Sequence, residues 1–108
     1  MPTAMRYGNN NDVQKSDPFR DTYYGSHAVR AVGMAISSSA IIVTIPWLNP
    51  DNETPSVSNI SASVTGIGSV TASVDSTRTN KDAVAFSLSS SGLTNHYAYL
   101  CYISFTLS

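Results

Sequence analysis

The residues best suited to chemistry are few. The chain has two histidines, His27 and His96, and one cysteine, Cys101. A structural zinc site needs four nitrogen or sulfur ligands, so one subunit cannot close a site with these alone, and no metal is expected. Only copies of one histidine meeting on an oligomer axis would change that. His96 and Cys101 stand five apart in one extended segment. They would face opposite sides and lie roughly 17 Å apart along it, too far for a nucleophile–base pair. Cys101 reads instead as a small buried hydrophobe. The carboxylates Asp12, Asp17, Asp21, Asp51, Glu53, Asp75 and Asp82 fall mostly in loop sequence. Asp51 and Glu53 are the closest pair, in a Pro/Asn-rich stretch that suits solvated turn residues, or at best a weak calcium site. No serine sits in a G-x-S-x-G elbow. Gly66-Ile67-Gly68 lacks the third glycine and following helix of a phosphate loop. The expectation is no catalytic residue, no cofactor and no enzyme activity.

Aromatic residues remain as binding candidates. Trp47, Tyr23, Tyr24, Tyr97, Tyr99 and Tyr102 could stack on sugar rings, anchor a protein interface, or simply pack. Trp47 stands out because it ends an extended segment beside Pro46 and opens the loop Leu48–Pro55, where binding groups often sit on a β scaffold. The candidate ligand-binding set is Trp47, Asn49, Asp51, Asn52, Tyr97 and Tyr99. The candidate oligomer interface is Tyr23, Tyr24, Leu100 and Tyr102. Two N-x-S/T sequons, at Asn52 and Asn59, are matches expected by chance in so hydroxyl-rich a chain.

These side chains must be positioned by strands. From His27 onward the apolar period is close to 2. Val32, Met34 and Ile36 share one face of a first strand, which turns at Ser37-Ser38-Ser39. Ile41, Val43, Ile45 and Trp47 share a face of the second, and Pro46, which has no N–H to donate, marks an edge or sheet exit. Ile60, Ala62 and Val64, then Val70, Ala72 and Val74, predict a hairpin about Gly66-Ile67-Gly68 with one apolar and one hydroxyl face. Asp75–Asp82 is a polar loop. Val84, Phe86 and Leu88 form another strand, with a turn from Ser89 to Asn95. In the last strand, from about His96, Tyr97, Tyr99, Cys101, Ile103, Phe105 and Leu107 share a face. Ala98, Leu100 and Tyr102 make the other face partly apolar, as in a strand that is central or covered at an interface. About six strands without a long helix predict an all-β antiparallel sandwich or jelly-roll-like domain over residues 27–108. Residues 1–26 read as an arm or tail, with a short helical turn at Asp17–Arg20.

Composition agrees with a single small β domain. The chain has 108 residues, of which only 12% are charged, so Ser and Thr must supply the polar surface. A net charge of -1 argues against an electrostatic nucleic-acid binder, which needs a basic stripe, and against a polybasic membrane anchor. No apolar run approaches the ~20 residues of a membrane-spanning helix, so no membrane insertion is expected. The N-terminal residues lack the basic and apolar regions of a signal peptide. With one cysteine, no intrachain disulfide forms.

The run IIVTIPWLNP (Ile41–Pro50), followed by PSVSNISASVTGIGSVTASV and a closing YAYLCYISFTLS, resembles the C-terminal head domains of bacteriophage tail fibres and other receptor-binding proteins. The resemblance covers about residues 27–108. It implies a trimeric virion protein on the extracellular particle surface, packed about a threefold axis with other virion proteins and holding a host-surface glycan in loops or subunit clefts. The chain departs from many fibre tips in lacking an H-x-H motif, so axial iron is not carried over, and no binding residue transfers by motif. Two other readings stand beside it. One is a capsid-decorating or head-fibre protein docking through the 1–26 arm; the other is a carbohydrate-binding module of a secreted bacterial protein.

Overall fold

The computed structural model describes residues 22–108. The helical turn expected at Asp17–Arg20 and most of the 1–26 arm lie outside the described residues. Six strands follow: β1 (Gly25–Ala35), β2 (Ala40–Pro46), β3 (Val57–Val64), β4 (Thr71–Val74), β5 (Ala83–Ser89) and β6 (Ala98–Leu107). They form one antiparallel sheet in the order β3-β6-β1-β2-β5-β4. The all-β, six-stranded architecture expected from the alternation is therefore what the chain adopts. The sheet curls until it nearly closes, which brings β3 and β4, the two ends of the order, close to each other.

Alternation explains the core. Ile41 and Val43 of β2, Val84, Phe86 and Leu88 of β5, and Cys101, Ile103, Phe105 and Leu107 of β6 all point inward and are essentially fully buried. Each large apolar side chain withdrawn from water contributes about 1.5–3 kcal/mol as an upper bound. Phe86 and Phe105 touch across the interior with ring centres 5.1 Å apart. Pro46 ends β2 where the strand leaves the sheet, so its lack of an N–H breaks no interior ladder.

Three features depart from the pattern-based expectation. First, β3 and β4 do not pair as a hairpin: β3 ladders on β6 and β4 on β5. Thr65 still donates its N–H to Leu100, and the chain then crosses the open end of the sheet through Gly66, whose φ of 83° favours glycine. Alternation determines which face a strand buries, but not which neighbour it takes. Second, the faces of β1 are exchanged. Val29, Ala31, Gly33 and Ala35 point inward, while Val32, Met34 and Ile36 lie outside at 66%, 48% and 53% exposure. Third, β3 carries a bulge between Ser58 and Ser61, where Asn59 takes a left-handed φ of 53°. The extra residue lets Val57 and Ile60, three apart, share the inner side.

Candidate functional site

Antiparallel order sorts the loops into two ends. The 47–56 and 75–82 loops and the entry at residues 22–24 gather at one end; the 36–39, 65–70 and 90–97 turns gather at the other. At the first end β2 delivers Trp47 onto an aromatic floor. Its indole meets His27 at 4.8 Å, Phe105 at 5.7 Å and Tyr23 at 6.5 Å between ring centres. His27 is held by its ring Nε2, 2.6 Å from the Tyr23 carbonyl oxygen. Thr22, Tyr23, Trp47 and Leu48 line an open, mainly apolar hollow of about 200 Å³. Trp47 is thus both packing and wall: half-buried against the core, with a face left toward the hollow.

The neighbouring candidates divide by role. Asn49 is buried, and its side chain is spent on the loop: Nδ2 donates to the Glu53 carbonyl at 2.7 Å and Oδ1 accepts from the Asp51 N–H at 2.8 Å. It organises an Asx turn that holds the loop. Asp51 is half-buried and accepts a hydrogen bond from the Tyr24 hydroxyl, tying the entry segment to the loop. Asn52 is exposed with a left-handed φ of 60°. Tyr23, expected at an oligomer interface, lies in the core at 3% exposure. Tyr23 is an aromatic residue in polar sequence that the structure places inside, as the first core residue among the described residues. Its hydroxyl is buried without a hydrogen-bond partner among the described residues.

Tyr97 and Tyr99 belong to the opposite end and cannot join Trp47 in one site. Phe105, beneath Trp47, and Tyr99 are six residues apart on β6, about 20 Å. Tyr97 is exposed and packs its ring 5.8 Å from Tyr99. The Tyr99 hydroxyl accepts from the Thr94 N–H at 2.9 Å, so it fastens the turn that precedes β6. Nearby, Gly66, Gly68, Ser69, Thr71 and Ser89–Ser91 line an open polar groove, within which Ser90 donates to the Ser69 carbonyl.

Leu100 and Tyr102 point outward from β6 at 37% and 44% exposure. The register sets Val32 beside Leu100, Met34 beside Ala98 and Arg30 beside Tyr102, with the guanidinium 5.3 Å from the ring centre. Val32, Met34 and Ile36, which alternation places on one face of the first strand, are therefore surface candidates. The small complementary set Ala31, Gly33 and Ala35 was the signal that could have revealed them.

The reactive groups are placed apart. Cys101 is fully buried, and burial pushes its thiol pKa up; His96 is exposed in the turn before β6. Asp75 is held below the usual carboxylate range, first by the hydrogen bond from Arg78, whose Nη1 lies 2.7 Å from Oδ2. That pair braces the first turn of the 75–82 loop. Among the described residues no group of three or more His, Cys, Asp or Glu could hold a metal. No protein-family model, no curated protein and no solved structure matches the chain.

Proposed function

We propose that the chain is a structural domain of a virion, a fibre or receptor-binding head on the particle surface that attaches to host-surface saccharide without catalysis. The observation that supports this reading is how the Trp47 end is built. A half-buried indole and an apolar hollow lie together at a loop end held by a continuous sheet. Saccharide recognition uses those parts: the C–H face of a sugar ring packs on an aromatic plane, while backbone groups meet its hydroxyls. IIVTIPWLNP, one of the stretches that carry the resemblance to fibre heads, supplies Trp47 and Leu48 to this end.

Trp47 is the chain's one tryptophan, so its fluorescence reports the site directly. The full chain is screened against a panel of bacterial surface saccharides, and hits are titrated by fluorescence. Trp47→Phe keeps a ring over Phe105 while shrinking the platform, and is expected to weaken binding by about 10-fold with a cooperative melt retained. Retention of no saccharide, or affinity unchanged in a folded Trp47→Phe variant, sinks the proposal.

A further inference from the structure

The outer side of the sheet is unusual in its lack of charge. Across all six strands Arg30 is the one Asp, Glu, Lys or Arg. Soluble sheets commonly place charges on outward positions to discourage association. Here the centre of the outer surface is apolar instead. Val32, Met34 and Ile36 of the β1 row and Leu100 and Tyr102 of β6 are all exposed. The ladder makes them contiguous, because Val32 stands opposite Leu100 and Met34 lies between Ala98 and Ile42. Monomeric proteins rarely leave contiguous apolar patches of this kind uncovered.

We propose that this face of β6, β1 and β2 is where a second copy of the chain docks, the two faces packing on each other. The rim of the patch argues for a copy rather than a charged partner. It consists of Ser61 and Ser63 on β3, Ser104 and Thr106 on β6, and Thr44 on β2. A hydroxyl both donates and accepts, so a Ser/Thr rim complements itself, whereas a rim of like charges would repel its copy. A strongly acidic or basic partner would find only Arg30, already placed over Tyr102. Size sets the strength of the contact. Three adjacent strands spaced about 4.8 Å and running about 30 Å project roughly 430 Å², about half of the ~800 Å² per partner of a standard interface, which suits weak, concentration-dependent pairing. The inference is independent of the saccharide reading, since the docking face lies between the two loop ends.

The test is the mass of the full chain in solution, by light scattering across a concentration series. The expected result is twice the chain mass at high concentration, as a face that packs on its own copy closes at two chains, and a Val32→Ser/Leu100→Ser variant that stays at single-chain mass. Its self-dissociation constant should rise by about 100-fold or more, while its β-type circular dichroism persists. Leu48→Ser, which removes an exposed apolar side chain at the Trp47 end, should leave the assembly intact. A second measurement needs no variant: peroxide oxidation of Met34 should be slower in concentrated than in dilute wild-type protein. Supporting outcomes are dissociation in the double variant and concentration-dependent protection of Met34. A wild-type monomer, an oligomer indifferent to the double variant, or equal Met34 oxidation at all concentrations overturns the proposal.

Discussion

Tyr23 is where a single side chain says most about how the fold begins. Its ring packs edge-on to Tyr24 and closes the core beneath Trp47, yet its hydroxyl finds no partner among the described residues. Burial first, then the neighbouring Tyr24 and Asp51, pushes its pKa from 10.0 up to about 12. An acid whose folded pKa is raised stabilises the fold fully below its unfolded value. That contribution is lost as pH climbs, because the unfolded chain ionises first. Tyr23→Phe should therefore leave the fold equal or more stable by about 1 kcal/mol at neutral pH, since it removes a buried unpaired hydroxyl. It should also flatten the loss of stability between pH 10 and about 12. Urea titrations of both proteins across that range check the prediction, and a Tyr23→Phe protein that is clearly weaker at neutral pH would mean that the hydroxyl is satisfied. The contrast with Cys101 is instructive. A lone cysteine in an alternating apolar strand could be read as core from sequence, whereas Tyr23 sits in polar sequence with no periodic neighbour to place it.

Within elements, β1 shows what alternation can and cannot reveal. The inner residues of β2, β5 and most of β6 were legible because each of those strands has one clearly apolar face that is buried. β1 has two apolar faces, and the larger side chains are on the wrong one for a rule based on hydrophobicity. The inner row is small because β2 crosses close to it. A Cβ added at Gly33 would lie 2.5 Å from Val43 Cγ2, 2.6 Å from Ile41 Cγ2 and 3.1 Å from the Ile42 carbonyl oxygen. Val and Ile are stiff at χ1, so they cannot swing aside without moving the strand. Gly33→Ala should cost about 2 kcal/mol, within the range for overpacked cores; the same change at Gly68, where nothing lies within 4 Å, should cost much less. Denaturant midpoints of the two variants decide it, and equal midpoints would contradict the close approach. Neighbour choice was equally hidden. β3 and β4 both show hydroxyl-and-apolar alternation, and nothing in that pattern says that each prefers another partner to the adjacent hairpin.

For the whole molecule, the decisive pairing joins the start of the sheet to its end. β1 and β6 ladder along their length, from Gly25 opposite Leu107 to Met34 opposite Ala98. The first and last strands are thus central neighbours, and the other four flank them. The sheet therefore begins before residue 27. Composition changes near there, but Gly25 and Ser26 already pair with Leu107 and Thr106, Tyr23 is core, and Tyr24 holds Asp51 of the 47–56 loop. A chain beginning at His27 loses a buried aromatic ring, two ladder positions and the tie to the loop. A chain beginning at Thr22 keeps them all. Removing a buried aromatic side chain typically costs about 3–5 kcal/mol, a large share of the ~5–15 kcal/mol of a small domain. The chain beginning at His27 should therefore be less stable than the one beginning at Thr22 by at least about 3 kcal/mol, or fail to fold cooperatively. Thermal and urea unfolding of the two truncations side by side measure the difference. Near-identical stabilities would show that the entry segment rests on the sheet without supporting it.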